Sequence, residues 1–230
     1  MTIRLAIVGM GKMGRAIEQL AGERGCEVVA RLDIADTANG IDRKALNAAD
    51  VAVEFTTPSA AAANVRGLIA AGIATVVGTT GWYDALPEIS ADVKKRGGAL
   101  LTATNFSLGV NAFERILTEA ARILAATGGF DAHMVELHHA AKKDAPSGTA
   151  HTLENAAAEA WGKNIPITSV RTGSIPGTHE VIFDAPFETI RLAHVARDRR
   201  VFAEGAIVAA KWLVGKKGVF TMKDLLSSRA

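Results

Sequence analysis

The N-terminal part of the chain alternates short apolar runs with longer segments whose apolar residues recur at helical spacing. This alternation is typical of strand-helix-strand units around a parallel sheet. The runs are predominantly apolar, as expected for strands that are covered on both faces. We therefore predict an α/β domain with a doubly wound parallel sheet. The predicted strands are residues 3–8, 27–32, 51–55, 75–77 and 99–102, and the predicted helices are 12–24, 59–71 and 86–95.

The pattern changes after Asn105. A long helical segment over 110–126 is followed by a strand over 132–137, a polar loop and a helix over 147–161. Three more strands over 167–172, 181–184 and 189–196 precede a helical segment over 205–213. These elements predict a smaller α+β domain with a mixed sheet over 106–204, after a first domain over 1–105. We expect the C-terminal region, about 205–230, to pack back on the first domain.

Charge and composition are those of an ordinary folded protein. Of the 230 residues, 49% are hydrophobic and 22% are charged, which is enough apolar material for a packed core. The 26 basic and 24 acidic residues are interspersed and leave a formal net charge of +2. Because no basic stripe is present to follow a phosphate backbone, we expect no nucleic-acid partner.

The single cysteine, Cys26, excludes an internal disulfide framework and a cysteine-rich zinc module. The apolar run near the N-terminus is too short for a signal peptide, and Lys211 interrupts the longest candidate for a membrane span. We therefore expect a cytoplasmic protein that has no membrane partner.

A glycine-rich loop follows the first predicted strand and opens the first predicted helix. Its residues are Gly9, Met10, Gly11, Lys12, Met13 and Gly14. In this context the spacing Gly-x-Gly-x-x-Gly indicates a Rossmann-like dinucleotide site, where backbone amides at a helix N-terminus approach a pyrophosphate. A turn that holds no ligand is the alternative for such a motif on its own. The flanking strand and helix, together with Asp33, favour the nucleotide.

Asp33 ends the second predicted strand, where a carboxylate can accept hydrogen bonds from an adenosine ribose. Its presence favours NADH as the cofactor. NADPH stays open, because Arg31 or the neighbours Arg43 and Lys44 could bind an additional 2′-phosphate.

Two more turns follow predicted strands at their carboxyl ends, where open parallel sheets bind ligands. The first contains Gly78, Thr79 and Thr80, and the second contains Thr102, Ala103, Thr104, Asn105 and Phe106. Their small hydroxyl and amide groups could hold a nicotinamide carboxamide. Such residues also form turns and caps without any ligand. Two of these turns at one sheet edge favour cofactor binding.

The segment 136–149 concentrates candidate chemistry at a strand end and a helix start. A histidine, His138 or His139, can donate a proton near neutral pH, and the lysines Lys142 and Lys143 supply cations. Free backbone amides at Gly148 and Thr149, at the start of a helix, would attract an anion. Together these groups predict a pocket for a carboxylated substrate that needs protonation.

A zinc site is the competing interpretation of the adjacent histidines. Neighbouring histidines without a nearby cysteine have poor ligand spacing, so we predict no metal. Packing alone would explain an isolated histidine pair, but the number of polar groups in this loop favours function. The other histidines, to which we assign structural roles, are His133, His151, His179 and His194.

The motif His138-His139-x-x-Lys142-x-Asp144-Ala-Pro-Ser-Gly-Thr149 resembles the signature loop of the 4-hydroxy-tetrahydrodipicolinate reductase family. The glycine loop, residues 78–81, 105–107 and 202–206, Arg171 and Arg199 also match the family pattern. The resemblance covers nearly the whole chain. It implies NAD(P)H-dependent reduction of a small cyclic dicarboxylate on the diaminopimelate route to lysine.

The resemblance also implies residue roles and an assembly. His138 would be the proton donor and Lys142 its cationic partner, so that both would be catalytic. The substrate-binding residues would be His139, Lys142, Ser147, Gly148 and Thr149. The family pattern also implies a homotetramer built through the sheet of the second domain. Ala140 and Ala141 stand where many members carry a basic or polar residue, which leaves the carboxylates to Lys142, His139 and Lys143.

Two other functions stay open from sequence. One is an oxidoreductase of the same two-domain plan that resembles aspartate dehydrogenase. The other is a noncatalytic dinucleotide sensor, since a fold alone does not determine a function.

Overall fold

The computed structural model describes residues 2–228. The strands in that range are, in chain order, β1 (Ile3–Val8), β2 (Cys26–Leu32), β3 (Val51–Glu54), β4 (Ala74–Val77), β5 (Ala99–Thr102), β6 (Asp131–His138), β7 (Ile167–Arg171), β8 (Thr178–Ala185), β9 (Glu188–Val195) and β10 (Gly218–Phe220). The helices are α1 (Lys12–Ala21), α2 (Ile34–Thr37), α3 (Pro58–Ala70), α4 (Leu86–Arg96), α5 (Leu108–Thr127), α6 (Gly148–Trp161), α7 (Arg200–Leu213) and α8 (Met222–Ser227). None of these helices has both the length and the apolar content that a membrane span requires.

The chain divides into two compact units. Residues 109–201 form the second unit, and the residues before and after them form the first. The first unit contains a six-stranded sheet in the order β10-β5-β4-β3-β1-β2, and every neighbouring pair in it is parallel. Strand order reverses between β1 and β3, as it does in doubly wound folds. The predicted Rossmann-like α/β class is confirmed.

The side chains of β1 alternate between two apolar clusters, which shows why this sheet is covered on both faces. Leu5 and Ile7 lie in an apolar cluster with Ile17 of α1, whereas Ala6 and Val8 lie in a separate cluster with Leu68 of α3. Successive side chains of a strand point to opposite faces, so helices are needed on each side to bury a continuously apolar strand.

Two elements near the C-terminus were absent from the sequence prediction. The pattern predicted a helix over 205–213, and the structure adds the strand β10 and the helix α8 after α7. Strand β10 has 3 residues, too few for a readable period, and pairing with β5 holds it in the sheet. Short strands of this kind depend on a partner that is distant in sequence.

The second unit contains a mixed sheet in the order β7-β6-β8-β9. Strand β6 pairs parallel with β7 and antiparallel with β8. Phe113 and Leu117 of α5 and Leu153 of α6 form a core with Met134 and Phe183 from one face of the sheet. The predicted mixed sheet is therefore confirmed.

One predicted strand in this unit begins too late. The pattern placed its start at 181, but β8 begins at Thr178. The three additional residues include His179, which lies directly opposite Glu136 of β6. This register brings into the sheet a histidine that the sequence prediction left outside it.

Candidate active site

The loops predicted to bind a nucleotide meet around Phe55 at the carboxyl edge of the first sheet. A Cβ atom on Gly9 would lie 2.1 Å from the Phe55 carbonyl oxygen, and one on Gly78 would lie 2.0 Å from the Phe55 ring. The rings of Phe55 and Phe106 are 5.7 Å apart between centroids. Glycine is thus required at both close approaches. Phe55, which joins the three loops, has no distinctive sequence signal.

The start of α1 has the geometry that a pyrophosphate site requires. A Cβ atom on Gly14 would lie 2.0 Å from the Gly9 carbonyl oxygen, whereas one on Gly11 would meet nothing within 4 Å. Gly11 is the N-cap of α1 and no side chain caps the helix there. Gly9 and Gly14 therefore pack the loop tightly, and Gly11 leaves space for a ligand to approach the helix N-terminus. The exposed Lys12 and the partly buried Met10 and Met13 complete this loop.

Asp33 lies exposed at the end of β2 and caps the short helix α2, where its carboxylate accepts a hydrogen bond from the Ile34 amide at 3.0 Å. The two arginines named for a 2′-phosphate are engaged elsewhere. Arg31 Nε lies 2.5 Å from Glu18 Oε1, and Arg43 donates to the Ala71 carbonyl at 3.2 Å.

The turns after β4 and β5 use several of their polar groups internally. The Thr79 hydroxyl, predicted to face a cofactor, is buried and accepts from the Thr56 amide at 2.8 Å. Thr80 and Thr104 are exposed at the same edge. The other predicted residues of these turns contact neighbouring parts of the same sheet edge. Gly78 packs against Phe55, and Phe106 is buried against Gly205. Thr102 is buried at the end of β5, the Ala103 amide donates to the Val77 carbonyl, and the Asn105 side chain accepts from the Ser107 amide.

The first unit also contains a buried carboxyl group that we did not predict from the sequence. Glu54 ends β3, is fully buried, and forms a hydrogen bond with the Thr56 hydroxyl. Burial raises the pKa of Glu54. Its sequence signal is a charged residue at the end of an otherwise apolar strand.

The second unit separates the two adjacent histidines. His138 is the last residue of β6 and is buried. His139 follows the strand, is partly exposed, and its Nε2 atom lies 2.8 Å from Arg199 Nη2. Adjacent strand residues point to opposite faces, so the two imidazoles have different partners.

A buried ion-pair network lies behind His138. Glu136 is fully buried; one carboxylate oxygen bonds to His138 Nδ1, and the other accepts from Arg171 at 2.6 Å. Arg171 also donates to the Asp144 carbonyl at 2.6 Å, which ties β7 to the polar loop. Burial alone would raise the pKa of Glu136, but the hydrogen bonds from Arg171 and His138 help to lower it to about 2. Glu136 is therefore a carboxylate at neutral pH.

His179, to which we assigned a structural role from the sequence, lies within this group. Its ring meets the His138 ring edge to face with centroids 5.3 Å apart, and its Nε2 atom is 3.3 Å from the Ser147 hydroxyl. Burial, and then the nearby His138, lower the pKa of His179 to about 4. The site thus contains a neutral histidine beside the predicted proton donor.

The start of α6 holds a carboxylate of the chain itself. Ser147 caps the helix by accepting from the Ala150 amide at 3.2 Å. Lys142 Nζ lies 2.8 Å from an Asp144 carboxylate oxygen. Hydrogen bonds from Lys142 and from the Gly148 amide lower the pKa of Asp144. Thr149 lies partly buried in the first turn, and the role of the Gly148 and Thr149 amides in binding an anion stays a prediction.

Glu136, His138 and His179 could each offer one ligand atom to a metal, with those atoms within 4.8 Å of one another. Arg171 and His138 already engage the two oxygens of Glu136. Burial, and then the positive charges of Lys142 and Arg171, lower the pKa of His138, so a further cation is disfavoured here. The absence of a resident metal stays a prediction.

Together the fold and these groups define a class: Rossmann-like proteins of the oxidoreductase type that carry a second, mixed-sheet unit with an acid-base cluster. The sequence profile described as "Dihydrodipicolinate reductase, N-terminus" matches residues 3–106. The profile described as "Dihydrodipicolinate reductase, C-terminus" matches residues 109–226. The chain belongs to the dihydrodipicolinate reductase family.

Individual relatives agree with this assignment. The 4-hydroxy-tetrahydrodipicolinate reductase of Christiangramia forsetii is 36% identical over 239 residues, which cover 98% of each chain. The reductase of the same name from Methanoregula boonei is 35% identical over 94% of each chain. The solved dipicolinate-bound dihydrodipicolinate reductase of Paenisporosarcina sp. TG-14 superposes with a TM-score of 0.82 at 23% identity, covering 96% of this chain and 98% of its own. That structure shares the fold.

Proposed function

We propose that this chain reduces 4-hydroxy-tetrahydrodipicolinate to tetrahydrodipicolinate in the diaminopimelate pathway of lysine biosynthesis, with a reduced pyridine nucleotide as hydride donor. The observation that carries the proposal is His138, a buried imidazole bonded to the Glu136 carboxylate, in a chain of this family. The predicted domain over 1–105, with the C-terminal region about 205–230, binds the nucleotide. The predicted domain over 106–204 binds the substrate.

The glycine loop and the turns after β4 and β5 hold the nucleotide, which supplies hydride when bound. Loss of the substrate hydroxyl as water leaves a conjugated cyclic imine, and hydride addition to it leaves an electron-rich carbon. His138 protonates that carbon from Nε2. Gly177 keeps this nitrogen approachable, because a Cβ atom there would lie 3.0 Å from it.

The two substrate carboxylates need cations and hydrogen-bond donors. Lys142 supplies the charge, and His139 with its partner Arg199 lies on the other side of the strand end. The first turn of α6, with Ser147, Gly148 and Thr149, supplies donors at a helix N-terminus. These residues orient the cyclic dicarboxylate beside His138.

NADH is the preferred nucleotide in this proposal. Asp33 presents a carboxylate at the end of β2, and it would accept hydrogen bonds from ribose hydroxyls and repel a 2′-phosphate. Arg31 and Arg43 are held by Glu18 and by the Ala71 carbonyl, which leaves NADPH without these two partners.

A homotetramer built through the second sheet is part of the same proposal. Strand β9 is an edge strand with alternating exposed residues, and Phe187 beside it is fully exposed. Light scattering on the purified protein tests this assembly against a chain mass of 24.1 kDa.

The activity is tested by mixing purified protein with enzymatically generated substrate and either NADH or NADPH. We expect loss of the reduced-nucleotide absorbance, faster with NADH at equal concentrations. Absence of any substrate-dependent loss with both nucleotides contradicts the proposed function. Faster loss with NADPH contradicts only the nucleotide preference.

A further inference from the structure

The partner of His138 Nδ1 determines which nitrogen of the ring is free. An ionised carboxylate can only accept hydrogen bonds, and Glu136 is ionised because its pKa is lowered to about 2. The bond between Glu136 and His138 therefore requires a hydrogen on Nδ1. In the neutral ring, Nε2 then carries the lone pair, and it is the nitrogen that lies beside Gly177.

The fold holds Glu136 in place for this contact. Residues 136 and 138 are two positions apart in β6, so both side chains lie on the same, buried face of the strand. Arg171 lies opposite His138 in the parallel pairing of β6 with β7, and its guanidinium reaches Glu136. A fully buried carboxylate would be costly without such donors, so Arg171 offsets the desolvation of Glu136.

The charges around His138 act in opposite directions. Burial comes first among the causes that lower the pKa of His138, followed by the cations Lys142 and Arg171, while Glu136 raises it. On β8, His179 is neutral near pH 7, because its pKa is lowered to about 4. Glu136 is thus the anion that favours the protonated, imidazolium form of His138. A bound dicarboxylate would add further negative charge and favour the same form.

We propose that Glu136 is a positioning residue for the reaction: it holds His138 as the Nδ1–H tautomer and supplies the negative charge that lets Nε2 take up the proton delivered to substrate. This inference rests on the proposed function. The imidazolium forms when the dicarboxylate binds, because its charge offsets Lys142 and Arg171. The Nε2–H bond then breaks as the new C–H bond forms, and the ring returns to its neutral Nδ1–H form. Solvent supplies the next proton.

The first test substitutes Glu136→Gln, which keeps the size of the side chain and removes its charge. Glu180→Gln is the matched control, since Glu180 lies on the same sheet and pairs with Arg191 at 3.1 Å. We expect kcat of the Glu136 variant to fall by about tenfold or more with KM changed by less than about threefold. The pH above which kcat declines should move to lower pH. Control-like kcat and an unchanged pH profile overturn the proposal.

A second measurement does not depend on turnover. Nitrogen chemical shifts of the imidazoles in the wild-type protein report the tautomer of each neutral histidine, and His138→Asn identifies the His138 signals. We expect a protonated Nδ1 and an unprotonated Nε2. Protonation at Nε2 in the neutral ring overturns the proposal.

Titration with pyridine-2,6-dicarboxylate, a planar dicarboxylate probe, separates this inference from the proposed function. We expect the wild-type His138 titration to move to higher pH when the probe binds, and the titration in Glu136→Gln to lie at lower pH than in the wild type both with and without the probe. The same His138 titration in the two proteins overturns the role of Glu136. A wild-type protein that binds the probe but never consumes NADH or NADPH contradicts the proposed function instead.

Discussion

The ammonium group of Lys142 lies 2.8 Å from the carboxylate of Asp144. The chain thus places one of its own carboxylates against the cation that we assign to substrate. A substrate carboxylate has to compete with Asp144 for this cation. Binding should therefore be sensitive to the charge of Lys142 and to salt, because this pair is partly exposed.

Lys142→Ala should raise KM for the dicarboxylate by about tenfold or more, which corresponds to about 1.4 kcal/mol of lost binding free energy. Lys163→Ala is the matched control, because Lys163 is an exposed lysine of the second unit that also pairs with a carboxylate, Asp131, at 3.2 Å. Steady-state nucleotide oxidation at low and high salt measures both. Equal changes in the two variants would show that Lys142 has no specific role.

His138→Asn should lower kcat by about 10²- to 10⁴-fold, the usual contribution of a general acid, and leave nucleotide affinity unchanged. His151→Asn, on the exposed surface of α6, should retain wild-type kcat. Stopped assays for kcat and fluorescence titration with NADH supply the two readouts. Wild-type turnover in the His138 variant would reject the proton-donor role.

Gly11→Ala should fold normally and lose nucleotide affinity by about tenfold or more, because its Cβ atom meets no protein atom but fills the space assigned to a pyrophosphate. Gly22→Ala, where a Cβ atom also meets nothing within 4 Å, should keep both stability and affinity. Thermal unfolding and NADH titration test the pair. Unchanged affinity in Gly11→Ala would place the nucleotide elsewhere.

Asp33→Asn should lower the ratio of kcat/KM for NADH to that for NADPH by about tenfold, since the neutral amide no longer repels a 2′-phosphate. Asp36→Asn controls for loss of the shared cap, because Asp36 accepts from the Asp33 amide at 2.8 Å. The same assay with each nucleotide measures the ratio. A ratio that changes equally in both variants would indicate a structural effect of the cap.

Acid should destabilise the fold through His179. Its pKa is lowered from 6.5 to about 4 by burial, so the unfolded state binds a proton first as pH falls. The free energy of unfolding should therefore decrease between pH 6.5 and about 4, by up to about 3 kcal/mol for this group.

Urea unfolding across that pH window should show a smaller decrease in His179→Asn than in the wild type. His138 and His194 also have lowered pKa values, so the difference between the two proteins isolates His179. His151→Asn should follow the wild type. Parallel curves for the His179 variant and the wild type would contradict a buried neutral His179.

Much of the first unit could be predicted from the sequence because its signals are local. The bounds of β1 and β5 coincide with apolar runs, and the glycine loop is a motif of six adjacent residues whose context can be judged over one strand and one helix. Such patterns depend on the burial of neighbouring side chains and on glycine sterics. The predicted mixed sheet of the second unit followed from the same periodicities.

The surroundings of His138 were decided by tertiary structure. The sequence identified His138, Lys142 and the start of α6, which lie in one short segment. Arg171 and His179 join them through strand register, opposite His138 in β7 and opposite Glu136 in β8. Register depends on which distant strands pair and which faces are buried. The hydrogen bond that register gives Glu136 with Arg171 helps to keep Glu136 ionised, and burial keeps His179 neutral. The spacing of residues along the chain reveals neither strand register nor burial. The sequence by itself therefore determined the reactive loop, while the fold decided its electrostatic environment.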